Sequence, residues 1–208
     1  MSVRFFAKRA SAFAMTVALV LGSLLGIATP VTAQVQTAVE YGFRSVWDYG
    51  YSSFFITAFP EEIAALDAGA LNDSSGLVWE RTGLTFDVWT GPESDAVPTC
   101  RFFHPFFIDH VYTPYAAECA AVQAHADWNY QYEGIAFYLK LPDENGQCPV
   151  GTTILYRLYD DGNAQAHHRL IANPYLVEEE LAAGWVFEGS GPTFVFACVP
   201  SSTAPSTP

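Results

Sequence analysis

The side chains best suited to acid–base or metal chemistry lie in the middle and last thirds of the chain. Five histidines occur: His104, His110, His125, His167 and His168. His110 and His168 each precede a short apolar run, and Asp109 beside His110 offers an oxygen ligand or an orienting carboxylate. Imidazole in such a setting ligates metals or acts as a general base. The supporting signatures are missing. There is no HExxH and no CxxC, no carboxylate accompanies His168, and Gly189-Ser190-Gly191 lacks the spacing of a GxSxG elbow. Asp160-Asp161-Gly162-Asn163 resembles part of a calcium loop without its later bidentate Glu. No catalytic residue, metal ligand or cofactor is therefore assigned. A non-enzymatic role is preferred, with a small hydrolase sited near His110 and His168 as the alternative.

Two further sets of residues stand out. Arg101 and Arg157 occupy the same point of two strand-like runs, and Glu133 and Glu188 open later apolar runs, so Arg–Glu pairs between them are expected. Glu40 and Arg81 look like a sign-reversed version of that pair. Such pairs fix register more than they add stability. The second set is aromatic: Phe, Tyr and Trp make up 15% of the chain, more than packing needs, so some rings must reach the surface. Trp47, Tyr49 and Tyr51 in one loop, and Trp128 and Tyr130 in another, are the best placed to stack on sugar faces or grip peptides. With Asp109, His110 and His168 they form the candidate ligand-binding set.

These residues sit within three stretches of similar layout, about residues 38–90, 99–141 and 153–199. Each begins with an aromatic run, continues with a second short apolar run, and then has a proline-led helical segment starting at Pro60, Pro114 or Pro174. Asn173 before Pro174 and Thr113 before Pro114 supply capping side chains, and Gly69 and Gly184 suit C-terminal caps. Ile63 with Leu66, and Val177 with Leu181, should face the core. The layout predicts an α+β domain over 34–200, made of three pseudo-repeats of strand, strand, short helix and strand around a pseudo-threefold axis.

The bulk composition narrows the setting. Arg4, Lys8 and Arg9 precede an apolar run ending near Ala28, and Val31-Thr32-Ala33 suits signal-peptidase cleavage, so residues 1–33 are read as a signal peptide. Removing it takes three of the nine basic residues and none of the 22 acidic ones. So acidic a surface repels nucleic acid and anionic lipid, which excludes both as partners. Cys100, Cys119, Cys148 and Cys198 form an even set in an exported chain and allow three disulfide connectivities; Cys100–Cys119 inside the second stretch with Cys148–Cys198 spanning the third is preferred. Residues 201–208 contain only Ser, Thr, Ala and Pro and are expected to be disordered.

The run from Val39 to Pro200 resembles a bacterial exported repeat module known only as a domain of unknown function. The resemblance rests on Tyr156-Arg157-Leu158-Tyr159, His110-Val111-Tyr112-Thr113, Gly184-Trp185 and Glu188-Gly189. It implies a freestanding secreted or periplasmic protein, or a module attached to a secreted hydrolase, and brings no activity with it. The first stretch departs from the pattern, with Ser53 in place of His and Glu40 in place of Arg. The reading reached is a secreted, non-catalytic binding or interaction module, its partner an extracellular or cell-wall glycan or a protein. A purely structural envelope protein is the remaining option.

Overall fold

Strand β1 (Val35–Ser45) is buried on both faces from Ala38 to Gly42, which suits its β-branched and aromatic residues to a strand covered from two sides. It pairs antiparallel with β2 (Ser53–Thr57) along one edge and with the long β3 (Leu77–Trp89) along the other. Strand β4 (Ala96–His104) lies between β5 (Asp109–Thr113) and β6 (Gln131–Lys140). Strand β7 (Thr152–Tyr159) pairs with β8 (His168–Ile171), the two-residue β9 (Val186–Phe187) and β10 (Ala197–Pro200). The structure, a computed structural model, describes residues 34–45, 50–72, 76–160, 167–189 and 191–201. All of them lie in one compact unit, Val31–Pro208. The expected signal peptide and the tail after Ser201 fall outside the described residues.

The expected α+β domain of three pseudo-repeats about a threefold axis is not what forms. Among the described residues, ten strands join in one antiparallel sheet of order β2-β1-β3-β6-β10-β7-β8, with β4 and β5 branching from β6 and β9 from β7. Sheet dominates, and the helices are three short additions. The physical reason is that strand ends pair outside their own stretch: Trp89 of β3 meets Tyr138 of β6, and Cys198 of β10 meets Lys140 of β6. In the last stretch the run after Trp185 yields only β9, and the principal partner there is β10, beyond the Gly191–Phe194 turn.

Helices α1 (Pro60–Asp67), α2 (Ala116–Ala124) and α3 (Pro174–Ala182) follow β2, β5 and β8. Asn173 caps α3 by accepting from the Tyr175 N–H at 3.0 Å. Thr57 and Thr113 work from two residues further out. Each hydroxyl accepts from a backbone N–H ahead of its helix, Phe59 or Tyr115 at 3.1 Å, and donates to a first-turn carboxylate, Glu62 or Glu118 at 2.5 Å. Gly69 and Gly184 follow the ends of α1 and α3 with φ of 72° and 104°, the left-handed conformation that a terminating residue needs. Leu66 and Val177 are buried, with Ile63 and Leu181 packed part-buried against the same clusters.

The central core gathers Ile56, Val88, Tyr112, Phe137, Leu139, Leu155, Phe196 and Val199 from strands distant in sequence. Inside it the Tyr112 hydroxyl accepts from the Ile56 N–H and donates to the Ile56 carbonyl, both at 2.8 Å, closing the β2 backbone where no strand covers it. The two disulfides are Cys100–Cys119, tying β4 to α2, and Cys148–Cys198, tying the loop before β7 to β10.

Candidate functional site

Strand parity builds a cavity of about 650 Å³ beside α1. Arg101 and Phe103 are two residues apart on β4 and so share a face. Phe43 of β1 sits opposite Trp79 of β3, with ring centroids 5.1 Å apart, and Phe55 of β2 meets Trp79 edge-on at 6.1 Å. These rings, with Leu66 of α1 and Ile108, form apolar walls. Glu62, Arg101, His110 and Glu133 supply the polar part of the lining. A volume in this range and a few convergent polar groups are the hallmarks of a small-molecule site.

The polar end is held by Arg101. Its two terminal nitrogens donate to Glu62 at 2.8 and 2.9 Å, and its stem and head pack against Phe55, with the guanidinium carbon 5.0 Å from the ring centroid. Nε lies 2.9 Å from Glu133, but its N–H is not aimed at the carboxylate, so this contact is an ion pair without a hydrogen bond. Burial pushes the Glu62 carboxyl up, and the hydrogen bonds from Arg101 and Thr57 more than reverse that, leaving it below its ordinary range. Burial wins at Glu133, whose carboxyl is held above its ordinary range despite Arg101. The His110 ring packs between Phe55 and Phe103, at 4.6 and 4.8 Å. Burial, and then the positive charge of Arg101, lower its pKa to about 3, so it is neutral at physiological pH.

A second polar centre lies at the starts of β2, β5 and β8. Asp109 is fully buried and accepts from the His168 backbone N–H at 3.0 Å and from the Tyr130 hydroxyl at 2.9 Å, and its Oδ2 lies 2.8 Å from His168 Nδ1. Burial raises the Asp109 carboxyl, and the contacts with His168 outweigh it, so the group stays below its ordinary range. The other nitrogen of His168 faces Glu188 at 3.4 Å. Ser53, also buried, places Oγ 3.3 Å from His167 Nδ1. Serine, histidine and aspartate are thus all present, but not as a relay: the serine faces one histidine and the aspartate holds its neighbour. A nucleophile–base–acid chain needs both contacts on one ring.

A model of the family described as Domain of unknown function (DUF5648) matches residues 66–194, more than half of the 208-residue chain. The chain belongs to this family. No curated protein and no solved structure matches it. The matched segment of this DUF5648 protein includes Trp79, Arg101, His110 and Glu133 of the cavity, while Phe43, Phe55 and Glu62 precede it.

The residues singled out from sequence are dispersed by the fold. Asp109 orients His168 and not its chain neighbour His110, because adjacent strand residues point to opposite faces. His110 lines the cavity, and His168 belongs to the second centre. Arg101–Glu133 and Arg157–Glu188 are ion pairs at 2.9 and 3.0 Å. Glu40 and Arg81 do not pair. Arg81 stands opposite Tyr41, one residue from Glu40 and so on the other face; it bonds Asp67 at 2.7 Å, while Glu40 is held by Arg169 at 2.7 Å. Trp47 and Tyr49 lie outside the described residues. Tyr51 is part-buried and donates to Glu80 at 3.1 Å, and exposed Trp128 stacks on His125. Among the described residues no group of His, Cys, Asp and Glu is arranged to hold a metal. Phe43, Phe55, Phe103, Trp79 and Glu62 were not anticipated as site residues; the one available signal was the two-residue spacing of Arg101 and Phe103.

Proposed function

We propose that the chain is an exported, non-catalytic binding module whose ligand is a small molecule with an apolar body, taken into the cavity beside α1. The observation that carries this reading is the cavity itself: aromatic walls from four strands converge on one buried ion cluster. Export is supported by the leader-like residues 1–33 and by two disulfides, which persist in oxidising compartments. Among the described residues no helix is long and apolar enough to cross a membrane.

The hydrolase alternative has little support. A general base needs an open nitrogen of adequate basicity, whereas both nitrogens of His168 face carboxylates and burial lowers the His110 pKa to about 3, which makes that ring too weak a base. Glycan recognition by surface rings is also weakly supported, since the hydroxyls of Tyr51 and Tyr130 are engaged by Glu80 and Asp109. A ligand-observed NMR screen of apolar and aromatic fragments tests the proposal. Fragments should compete for one site and lose binding in Ala65→Trp, which fills the cavity from an exposed position on α1. Binding that Ala65→Trp leaves intact places the ligand elsewhere and overturns the reading.

A further inference from the structure

The charge inside the cavity is unbalanced, and its accessible part has one sign. Two carboxylates, Glu62 and Glu133, face one guanidinium, Arg101, beside a neutral His110. The cluster therefore holds one more carboxylate than guanidinium, and Glu133 shares Arg101 with Glu62 while facing neutral His110 Nε2 at 3.6 Å. The side chains of Glu62 and Glu133 are each 30% exposed, and that of Arg101 only 9%. A ligand entering the cavity therefore meets carboxylate, with the guanidinium shielded behind it. The walls suit the same sign of charge. Phe43, Phe55, Trp79 and Phe103 present ring faces or edges to the space, and aromatic faces attract cations through their quadrupole. The protein already uses one wall ring in this way, with Arg101 set against Phe55.

Resting on the small-ligand reading above, we propose that the cavity binds a small organic ammonium ion, its charged head near Glu133 and its alkyl or aromatic body between Trp79 and the phenylalanines. Glu133 is then the specificity-determining residue. Its carboxylate meets Arg101 only through the unaligned Nε at 2.9 Å and His110 Nε2 at 3.6 Å, and burial outweighs these contacts in holding it above its ordinary pKa, so a bound cation adds to a compensation that the fold leaves partial. The overall balance, 22 acidic against nine basic residues, draws cations toward the molecule from a distance.

The test compares choline with its neutral isostere 3,3-dimethylbutan-1-ol on the disulfide-bonded protein, followed by calorimetry and by intrinsic tryptophan fluorescence. The expected result is at least tenfold tighter binding of choline, falling to parity in Glu133→Gln and weakening with added salt. Leu71→Lys is the second variant, because Leu71 is an exposed residue of the lining whose replacement leaves the ion cluster intact. It should weaken choline binding several-fold and leave the alcohol unaffected. Equal affinity for the two probes, or a choline preference that survives both substitutions, overturns the cation assignment while leaving the cavity reading in place. If neither probe binds and the fragment screen is also silent, the cavity reading itself fails.

Discussion

His110 should make the fold acid-sensitive above the range where carboxylates titrate. An unfolded histidine takes up a proton near pH 6.5, while in the folded protein the ring stays neutral down to about pH 3. The unfolded state therefore binds more protons between these values, and stability falls as pH is lowered through the window. The effect is present in full about one pH unit above 6.5, where both states are essentially unprotonated. Each unit of pH within the window costs about 1.4 kcal/mol per proton taken up, and the unfolded ring is half-protonated at pH 6.5, so the drop from 6.5 to 4.5 amounts to about 2 kcal/mol for this ring alone. His167, also lowered by burial, adds a fall of the same sign. Glu133, held above its ordinary value, takes up its proton earlier when folded and offsets part of the loss. The decisive comparison is His110→Phe, which keeps a ring among Phe55, Phe103 and Trp79. Urea unfolding at pH 6.5, 5.5 and 4.5 should show the variant losing about 2 kcal/mol less than wild type across the range, with equal m-values. A variant whose loss matches wild type within about 1 kcal/mol refutes the burial argument.

Two further predictions concern the scaffold. Tyr112→Phe strands the Ile56 N–H and carbonyl in a dry core, at about 1–3 kcal/mol for each orphan, so urea unfolding should show a loss of about 2–6 kcal/mol; an effect below about 1 kcal/mol means that water reaches the site. Arg157→Met keeps the packing over Phe196 but leaves Glu118 and Glu188 uncompensated, which should cost about 3 kcal/mol. Adding Glu118→Gln should return part of that loss, and strict additivity of the two substitutions would exclude their coupling.

What could be read from sequence was local, and what could not was long-range. The capping of α3 by Asn173, the left-handed Gly69 and Gly184, and the burial of Leu66 and Val177 depend on residues a few positions apart. The even cysteine count predicts two disulfides, and those that form join cysteines 19 and 50 residues apart, in and around single stretches. The partners of the arginines do not. Arg101 takes Glu62 from α1, 39 residues earlier; Arg157 takes Glu118 from α2, also 39 residues earlier; and Arg169, besides binding Glu180, takes Glu40 from 129 residues earlier. No periodicity encodes such contacts, and the same blindness hid the single sheet, because β3–β6 and β6–β10 pairing follows from tertiary assembly. The cavity was invisible for this reason too, since its walls are drawn from Phe43 to Phe103 by strands that meet only in the fold.

Arg101 ties that cavity to the scaffold. Its bond to Glu62 holds α1 against β4, and its packing on Phe55 sets the position of a wall ring. Removing Arg101 would destroy site and fold together, so the experiment would not separate them. Glu133 is the better handle, because its only tie to Arg101 is the unaligned ion pair at Nε. A ligand held there is linked to folding by mass action: at one hundred times its dissociation constant it adds about 2.7 kcal/mol of stability. That increment is comparable to the acid-induced loss expected from His110 in the same cavity. A cation bound beside Glu133 should therefore offset acid destabilisation near pH 5 and lose its grip as Glu133 itself protonates. Ligand affinity and fold stability would then decline together with pH, through two neighbouring side chains of opposite titration sign.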